Sequence, residues 1–511
     1  MRSHALALLP LLLLAACDDG GAEADPMPVA DAGAAIDAGP EADAAPEVDA
    51  APIVDATLPD AAPPAPPALP VIIGPAAAVD EDPDPKVVAI TLAADHHGNP
   101  ITRDVEVDGY AYNGQSPGPI IQARLGDEIV VRFTNHLDEP TTIHWHGLRI
   151  TDDMDGSPRI QAPIQPGETF TYRFTPPEAG TYWYHPHVRA NEQVELGLYG
   201  MLIVHEAEPP AFDAERAFIL DDILLSGDRV AAFMASFPER MHGRTGNTLL
   251  TNGVAVPPDG HARQGQVERW RLVNTANART MSLSLQGARF RVIGTDAGLI
   301  HAPYETDRVQ IAVGQRYDLE VTYDQPGQVD LLSHVLVLEG ENVVERPFVV
   351  QSVQVEASDE APTVVALPTV PPVQRGRTNV NATLVFDAVE DPETGVRWRI
   401  NGQSHAHEPI FTFQQGDYVR MVLDNRAGPE HPFHLHGQFF EVFPDGRPET
   451  EQPGLKDTVL VPGLSRVTVF ARMENPGKWM AHCHILEHAE LGFMSEILVE
   501  PVEGMPRPTA P

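Results

Sequence analysis

The chain has 511 residues, with 73 acidic against 34 basic side chains and a formal net charge of −39. A protein so acidic repels a phosphate backbone, which argues against nucleic acid as a partner. Its length exceeds what one small sandwich needs and suits two or three folded domains.

At the N-terminus, Arg2 precedes an apolar run from Ala5 to Ala16. That run reads as a signal-peptide core and is short for a transmembrane helix. It ends Leu14-Ala15-Ala16-Cys17, which resembles a bacterial lipobox. Residues 1–17 are then a leader, and Cys17 is expected to carry the lipid. An ordinary secretory signal cleaved nearby is the alternative. The expected product is an exported, membrane-anchored lipoprotein facing the periplasm or the cell surface. Residues 18–86 are rich in Ala, Pro, Asp and Glu, and the segment has no Lys or Arg before Lys86. Such a segment buries too little apolar surface to offset its ordering entropy, so a disordered, extended tether is expected.

Beyond residue 86 the pattern is strands. Glu128 to Thr134 (EIVVRFT), Thr169 to Phe174 (TFTYRF), Arg289 to Ile293 (RFRVI) and Arg466 to Phe470 (RVTVF) alternate or are β-branched. Turns such as Pro166-Gly167 and Asn475-Pro476-Gly477 end such runs. Few long segments have a helical period, so the fold class is all-β with packed sandwiches. Thr169 to His187 and Arg466 to His484 share an order: strand, Pro/Gly turn, aromatic strand, paired histidines. This echo suggests duplicated domains. Domains are expected at 87–206, 207–360 and 361–502, with a tail at 503–511. Val355 to Arg377, with Pro362, Pro368, Pro371 and Pro372, leads into the third.

Four segments concentrate metal-binding side chains. HWHG holds His144 and His146, and HPH holds His185 and His187. HPFHLHG holds His431, His434 and His436. HCHILEHAELGFM holds His482, Cys483, His484 and His488. On a strand, side chains at i and i+2 share a face and i+1 faces away. Cys483 is therefore expected to face one metal while His482 and His484 face another behind it. A His, His, Cys set is what a blue electron-transfer copper uses. The remaining eight histidines exceed the needs of one ion, which points to a copper cluster. HAH at His405 and His407 reads as a solvated turn.

With these four segments, two early and two late, the chain resembles the three-domain, laccase-like multicopper oxidases over roughly residues 87 to 502. The resemblance implies three consecutive cupredoxin-like β-sandwiches and four copper ions. It assigns His431, Cys483 and His488 to a type 1 copper that takes electrons from substrate. It assigns His144 and His434 to a type 2 copper. His146, His185 and His484 would hold one type 3 copper, and His187, His436 and His482 the other. The cluster of three reduces dioxygen to water. Domain 2, without paired ligands, reads as a spacer and substrate-side wall. His488 is the expected exit for substrate electrons, because that edge usually lies nearest the surface in this family.

The axial position of the type 1 copper falls on Phe493, which cannot coordinate. Met494 is one step on, turned to the other face unless the register slips. A site without a thioether donor should have a raised reduction potential. Reduction of dioxygen consumes protons, so a carboxylate near the cluster is useful. Asp155 matches the family's acidic residue and is also placed to form a turn before Gly156. Several bacterial relatives carry a second acid directly after the last type 1 histidine, where this chain has Ala489. Glu490 or Glu487 is then the candidate to replace it, although Glu487 also suits a surface.

The resemblance implies oxidation of phenols or aromatic amines. Oxidation of Cu(I), Mn(II) or Fe(II) is the alternative. Met234, Met241 and Met281 are scattered and read as packing residues rather than a methionine-rich insert. A copper-free scaffold does not explain eleven retained ligands, and a two-domain nitrite reductase fails on length. With Cys17 lipidated and Cys483 on copper, no cysteine remains for a disulfide. Three domains complete the sites within a monomer.

Overall fold

The computed structural model describes residues 68–340, 342–447 and 451–508. The apolar leader, Cys17 and residues 18–67 of the expected tether lie outside the described residues.

The first domain is a sandwich of two four-stranded sheets. One orders Glu106–Tyr112, Val87–Pro100, Glu128–Asn135 and Thr169–Phe174. The other orders Gly118–Arg124, Gly200–His205, Gly180–His185 and His144–His146. Alternation fills the space between them. Ile129, Val131 and Phe133 point inward and are fully buried, while Arg132 between them is exposed. Each such side chain contributes roughly 1.5–3 kcal/mol by leaving water.

The second domain pairs a seven-stranded with a five-stranded sheet. In the larger, Ala214–Ile223, Val267–Asn274 and Arg316–Thr322 are neighbours. The third domain pairs a six-stranded with a five-stranded sheet. The five-stranded one orders Phe411–Gln414, Met494–Glu500, Gly477–Cys483, His431–Leu435 and Thr458–Val461. Helices among the described residues are short: Ala190–Gln193, Phe237–His242 and Leu486–Glu490. Each domain has its own apolar core. A further core joins them: Trp183 and Met201 of the first domain, Ile219 and Val273 of the second and Leu486 of the third pack together.

Residues 68–86, expected as the end of the tether, pack on the fold instead. Ile72 and Ile73 add a parallel strand beside Glu215 and Arg216 of domain 2. The Ala78 N–H donates to the Ile120 carbonyl of domain 1 at 2.8 Å, and the Ile120 N–H donates to Ala76 at 2.9 Å. Asp80, Asp82 and Asp84 each accept the backbone N–H two residues on, forming successive turns. The physical reason is local. Val71, Ile72 and Ile73 are a β-branched run whose preference is hidden when composition is averaged over the whole acidic segment.

Candidate metal centre

The inward face of each strand decides where its histidines go. Trp145 packs on Tyr172, Phe174 and Tyr184 in the domain 1 core, so His144 and His146 turn outward together. Phe433 and Leu435 face the domain 3 core, which sends His434 to the opposite side. Register then brings partners together: His144 lies opposite His185, and His434 opposite His482. Cys483 faces the domain 3 core beside Phe433, while His482 turns away. The strand ends at Cys483, so His484 reaches its place from the following bend.

Eight of the ten histidines of the four motifs form one buried cluster between domains 1 and 3. His144 stacks on His436 with ring centroids 3.9 Å apart, and His146 stacks on His434 at 3.8 Å. Within it, His146, His185 and His484 form one group whose donor atoms lie within 4.8 Å of one another. His187, His436 and His482 form another, and His144 and His434 share a third with His146.

Hydrogen bonds to the ring nitrogens fix which lone pairs point inward. The Nδ1–H of His144 donates to the Asp155 carbonyl at 2.8 Å, that of His185 to Pro186 at 3.0 Å, and that of His434 to Asp457 at 3.0 Å. His482 donates likewise to the Cys483 carbonyl at 2.8 Å. His436 donates to Asp155 Oδ2 at 2.8 Å. A carbonyl only accepts, so the proton sits on Nδ1 and Nε2 keeps its lone pair. The Nε2 atoms of His144, His185 and His434 are buried without a partner. Those of His436 and His482 face each other at 3.0 Å. Two lone pairs at that distance repel unless a cation lies between them. His146 is reversed: its Nε2–H donates to Asp457 Oδ1 at 3.1 Å, and its buried Nδ1 has no partner. The residues present therefore fit a set of soft-to-borderline cations such as copper.

Electrostatics agree. Burial, reinforced by neighbouring imidazoles, holds His185, His187, His436 and His484 well below the usual histidine range, and pushes His482 down to about 3. They are neutral, the form that binds a metal. Burial works against charge on Asp457, but Arg316 and His146 outweigh it and hold its carboxyl well below the usual carboxylate range. Burial raises the Asp155 carboxyl instead.

The second constellation lies within domain 3. His431 Nδ1 is 3.2 Å from His488 Nδ1, and Cys483 Sγ lies 3.5 and 3.6 Å from them. The point equidistant from the three is about 2 Å from each, the length of a first-row metal–imidazole bond. Burial raises the Cys483 thiol well above its usual range and lowers His431 to about 3. Metal uptake must therefore displace the thiol proton. The Phe493 ring stands edge-on to His431 at 4.7 Å, within the domain 3 core. The next residue, Met494, is half-buried and registers with His482.

Two expectations need correction. His488 is not at the surface. It is fully buried, and its Nε2–H donates to the Met241 carbonyl at 3.2 Å. Helix Phe237–His242 covers it through that backbone carbonyl, and the Met241 side chain packs against the domain 3 core as expected. The sequence signal was weak because that helix has six residues and no copper ligand. Glu487 is not a surface residue either. Its carboxylate is buried, pushed up to about 7 by burial, and accepts the Arg244 N–H at 2.9 Å and Asn277 Nδ2 at 3.0 Å. It ties helix Leu486–Glu490 to domain 2. The Glu490 side chain is exposed, and burial of part of it together with Glu192 raises its pKa. His405 and His407 are exposed, as a solvated turn requires.

Sequence reasoning passed over Asp457, which contacts His146 and His434, and Arg316, which binds Asp457. It also passed over Trp398, whose ring lies 4.2 Å from His488. A cavity of about 720 Å³ is lined by Arg149, Phe439, Tyr418 and the segment 370–375, and none of the ten motif histidines lines it.

An all-β chain with a His, His, Cys triangle beside a shared histidine cluster defines a copper protein of the cupredoxin type. Three family models described as multicopper oxidase match residues 97–209, 229–357 and 373–503. Multicopper oxidase MmcO of Mycobacterium tuberculosis is 30% identical, with 76% of this chain and 83% of that protein covered. Laccase-2 of Cryptococcus neoformans var. grubii is 27% identical, with 77% and 81% covered. The solved structure of a multicopper oxidase from Campylobacter jejuni, described as a metallo-oxidase, superposes with a TM-score of 0.72. It is 25% identical, with 85% of this chain and 96% of that chain covered. The chain belongs to the multicopper oxidase family.

Proposed function

We propose that this oxidase takes single electrons from a reductant at His431, Cys483 and His488 and delivers them to dioxygen at the eight-histidine cluster. Copper, when bound, supplies the one-electron transfers and the four-electron reduction of dioxygen to water. The observation that carries the reading is Cys483. Its sulfur faces His431 and His488, while its chain neighbours His482 and His484 turn into the cluster. The His482 Nδ1–H also donates to the Cys483 carbonyl, which shortens the path between the two regions.

In this reading four ions are held. His431, Cys483 and His488 bind the type 1 ion, with Phe493 as its non-coordinating axial neighbour. His144 and His434 bind type 2. His146, His185 and His484 bind one type 3 ion, and His187, His436 and His482 the other. The grouping of the buried donor atoms supports this division. Asp155 holds the Nδ1 proton of His436 and is the acid placed to pass protons toward dioxygen. Glu487 anchors a helix rather than relaying protons, and Glu490 is left as the outer acid. Lipidation at Cys17, export to the periplasm or cell surface and a monomeric state complete the proposal.

The donor proposed first is a phenol or aromatic amine, a class supported by kinship to a laccase. Oxidation of a metal ion such as Cu(I), Mn(II) or Fe(II) is the second reading, favoured by the cover on His488. A phenol can touch that imidazole only if helix Phe237–His242 moves. Dioxygen uptake by the copper-loaded protein separates the two. Fast uptake with a methoxyphenol and slow uptake with Cu(I) establishes the organic donor. The reverse establishes metal oxidation, and no uptake with either contradicts the oxidase reading.

A further inference from the structure

Domain 2 carries none of the four motifs, yet it closes the histidine cluster. The loop between strands Val309–Ile311 and Arg316–Thr322 reaches it. Gly314 sits against two of the histidines: a Cβ there would lie 3.0 Å from His146 Cε1 and 3.0 Å from His484 Cδ2. Gln315 Nε2 donates to the Thr458 carbonyl at 2.9 Å. Arg316 is fully buried and forks onto Asp457, Nη1 to Oδ1 at 2.8 Å and Nη2 to Oδ2 at 2.6 Å. Such a two-point contact fixes the carboxylate plane as a single contact cannot.

All five guanidinium N–H groups are used. Nε donates to the Thr181 carbonyl at 3.0 Å. The remaining Nη1 proton goes to the Gly314 carbonyl at 3.0 Å, and the remaining Nη2 proton to the Asp296 carbonyl at 2.8 Å. One side chain thus binds domain 1 at Thr181, its own domain at Asp296 and Gly314, and domain 3 at Asp457. Room for it depends on Gly147, the residue after His146. A Cβ at Gly147 would lie 2.3 Å from Arg316 Nη2 and 2.8 Å from Asp457 Oδ2. Asp457 in turn touches two histidines from different domains. Its Oδ1 accepts the Nε2–H of His146, and its backbone carbonyl accepts the Nδ1–H of His434.

We propose that Arg316 of the ligand-free domain is a positioning residue for the cluster, locking Asp457 so that His146 presents Nδ1 and His434 presents Nε2 to the ions. The proposal rests on the copper reading above. Outer-shell partners of metal ligands set ring orientation, and their loss weakens metal binding without removing a ligand. Domain 2 is therefore the third wall of the cluster and contributes to its geometry through an arginine, a glutamine and a glycine.

The test uses full-length, copper-loaded protein and the variants Arg316→Lys, Asp457→Asn and both together. Copper per chain is followed against increasing chelator, with the type 1 visible absorption and the type 2 electron paramagnetic resonance signal recorded in parallel. A lysine keeps the charge but cannot fork. Arg316→Lys should retain the type 1 absorption, alter the type 2 signal and release cluster copper with an affinity lowered on the order of 10- to 100-fold. The double variant should lose no more than the worse single one, because the two residues act as a unit. Unchanged cluster affinity and an unchanged type 2 signal in Arg316→Lys would overturn the proposal, even if the variant melted earlier. If Arg316→Lys loses the type 1 absorption as well, the isosteric Asp457→Asn decides by the same two readouts. A wild-type protein that holds only the type 1 ion would instead overturn the copper reading, leaving the cause distinguishable.

Discussion

The His431–Cys483–His488 triangle lies within one domain, and its three donors span residues 431 to 488. The eight-histidine cluster draws on residues 144 to 187 and 434 to 484, and domain 2 adds Gly314 and Arg316 behind them. The first site is therefore a property of domain 3 packing, built where Phe433, Phe493 and Trp398 surround the metal ligands. The second exists only when the domains are assembled. The contrast shows how one chain keeps two candidate metal sites separate yet one residue apart. Cys483 belongs to one site, and its neighbours belong to the other.

The largest expected effect breaks the comparison outright. Domain 1 expressed as residues 87–206 should hold no copper cluster, because half of the ligands are missing. Copper analysis of the purified fragment checks this, and a stable three-ion cluster in it would contradict the shared-site account.

Acid should weaken both regions of the copper-free protein. His431 and His482 are lowered to about 3 by burial, against 6.5 when unfolded. Their contribution to stability is present above pH 6.5 and is lost as pH falls toward 3. Between pH 7 and pH 5 each should remove roughly 2 kcal/mol. The more deeply depressed cluster histidines add to this, so denaturant midpoints of the copper-free protein should fall steeply over that interval. A flat profile would mean that these imidazoles are not held neutral.

Phe493→Met acts on one site alone. Adding a thioether beside His431 should lower the type 1 potential by on the order of 60 mV, a tenfold shift in a one-electron equilibrium. The type 2 resonance should not move. An unchanged potential would show that position 493 does not face the ion.

The smallest effect concerns the segment ahead of domain 1. A chain starting at Lys86 loses the Ile72–Ile73 strand and the Ala76–Ala78 contacts. The two Ala76–Ala78 hydrogen bonds to Ile120, at ~0.5–1.5 kcal/mol each, account for about 1–3 kcal/mol of the loss relative to a chain starting at Ala65, before the strand pairing is counted. Thermal melting of the two proteins measures it, and equal midpoints would make the added strand incidental.

Much of this molecule was legible in its residues for physical reasons. Period-two alternation placed strands at Glu128–Asn135 and Thr169–Phe174, and the same alternation separated Cys483 from His482. The paired histidines were readable because their spacing is local. What escaped was non-local. Arg316 is an ordinary strand residue in a domain without motifs, and only the tertiary fold carries it to Asp457. Met241 lies far from His488 in sequence, and nothing in a six-residue helix announces that its carbonyl caps an imidazole. Glu487 looked suited to a surface because a lone carboxylate gives no sign of the Arg244 and Asn277 groups waiting for it.

The measurement that bears most directly on the account is copper content with electron paramagnetic resonance for the wild type and Cys483→Ser. The wild type should hold four copper ions per chain and show both type 1 and type 2 signals. Cys483→Ser should lose the type 1 ion and its visible absorption, keep the three cluster ions with an unaltered type 2 signal, and cease to consume dioxygen. Loss of all copper together, or continued turnover without the thiolate, would contradict two separate sites joined through Cys483.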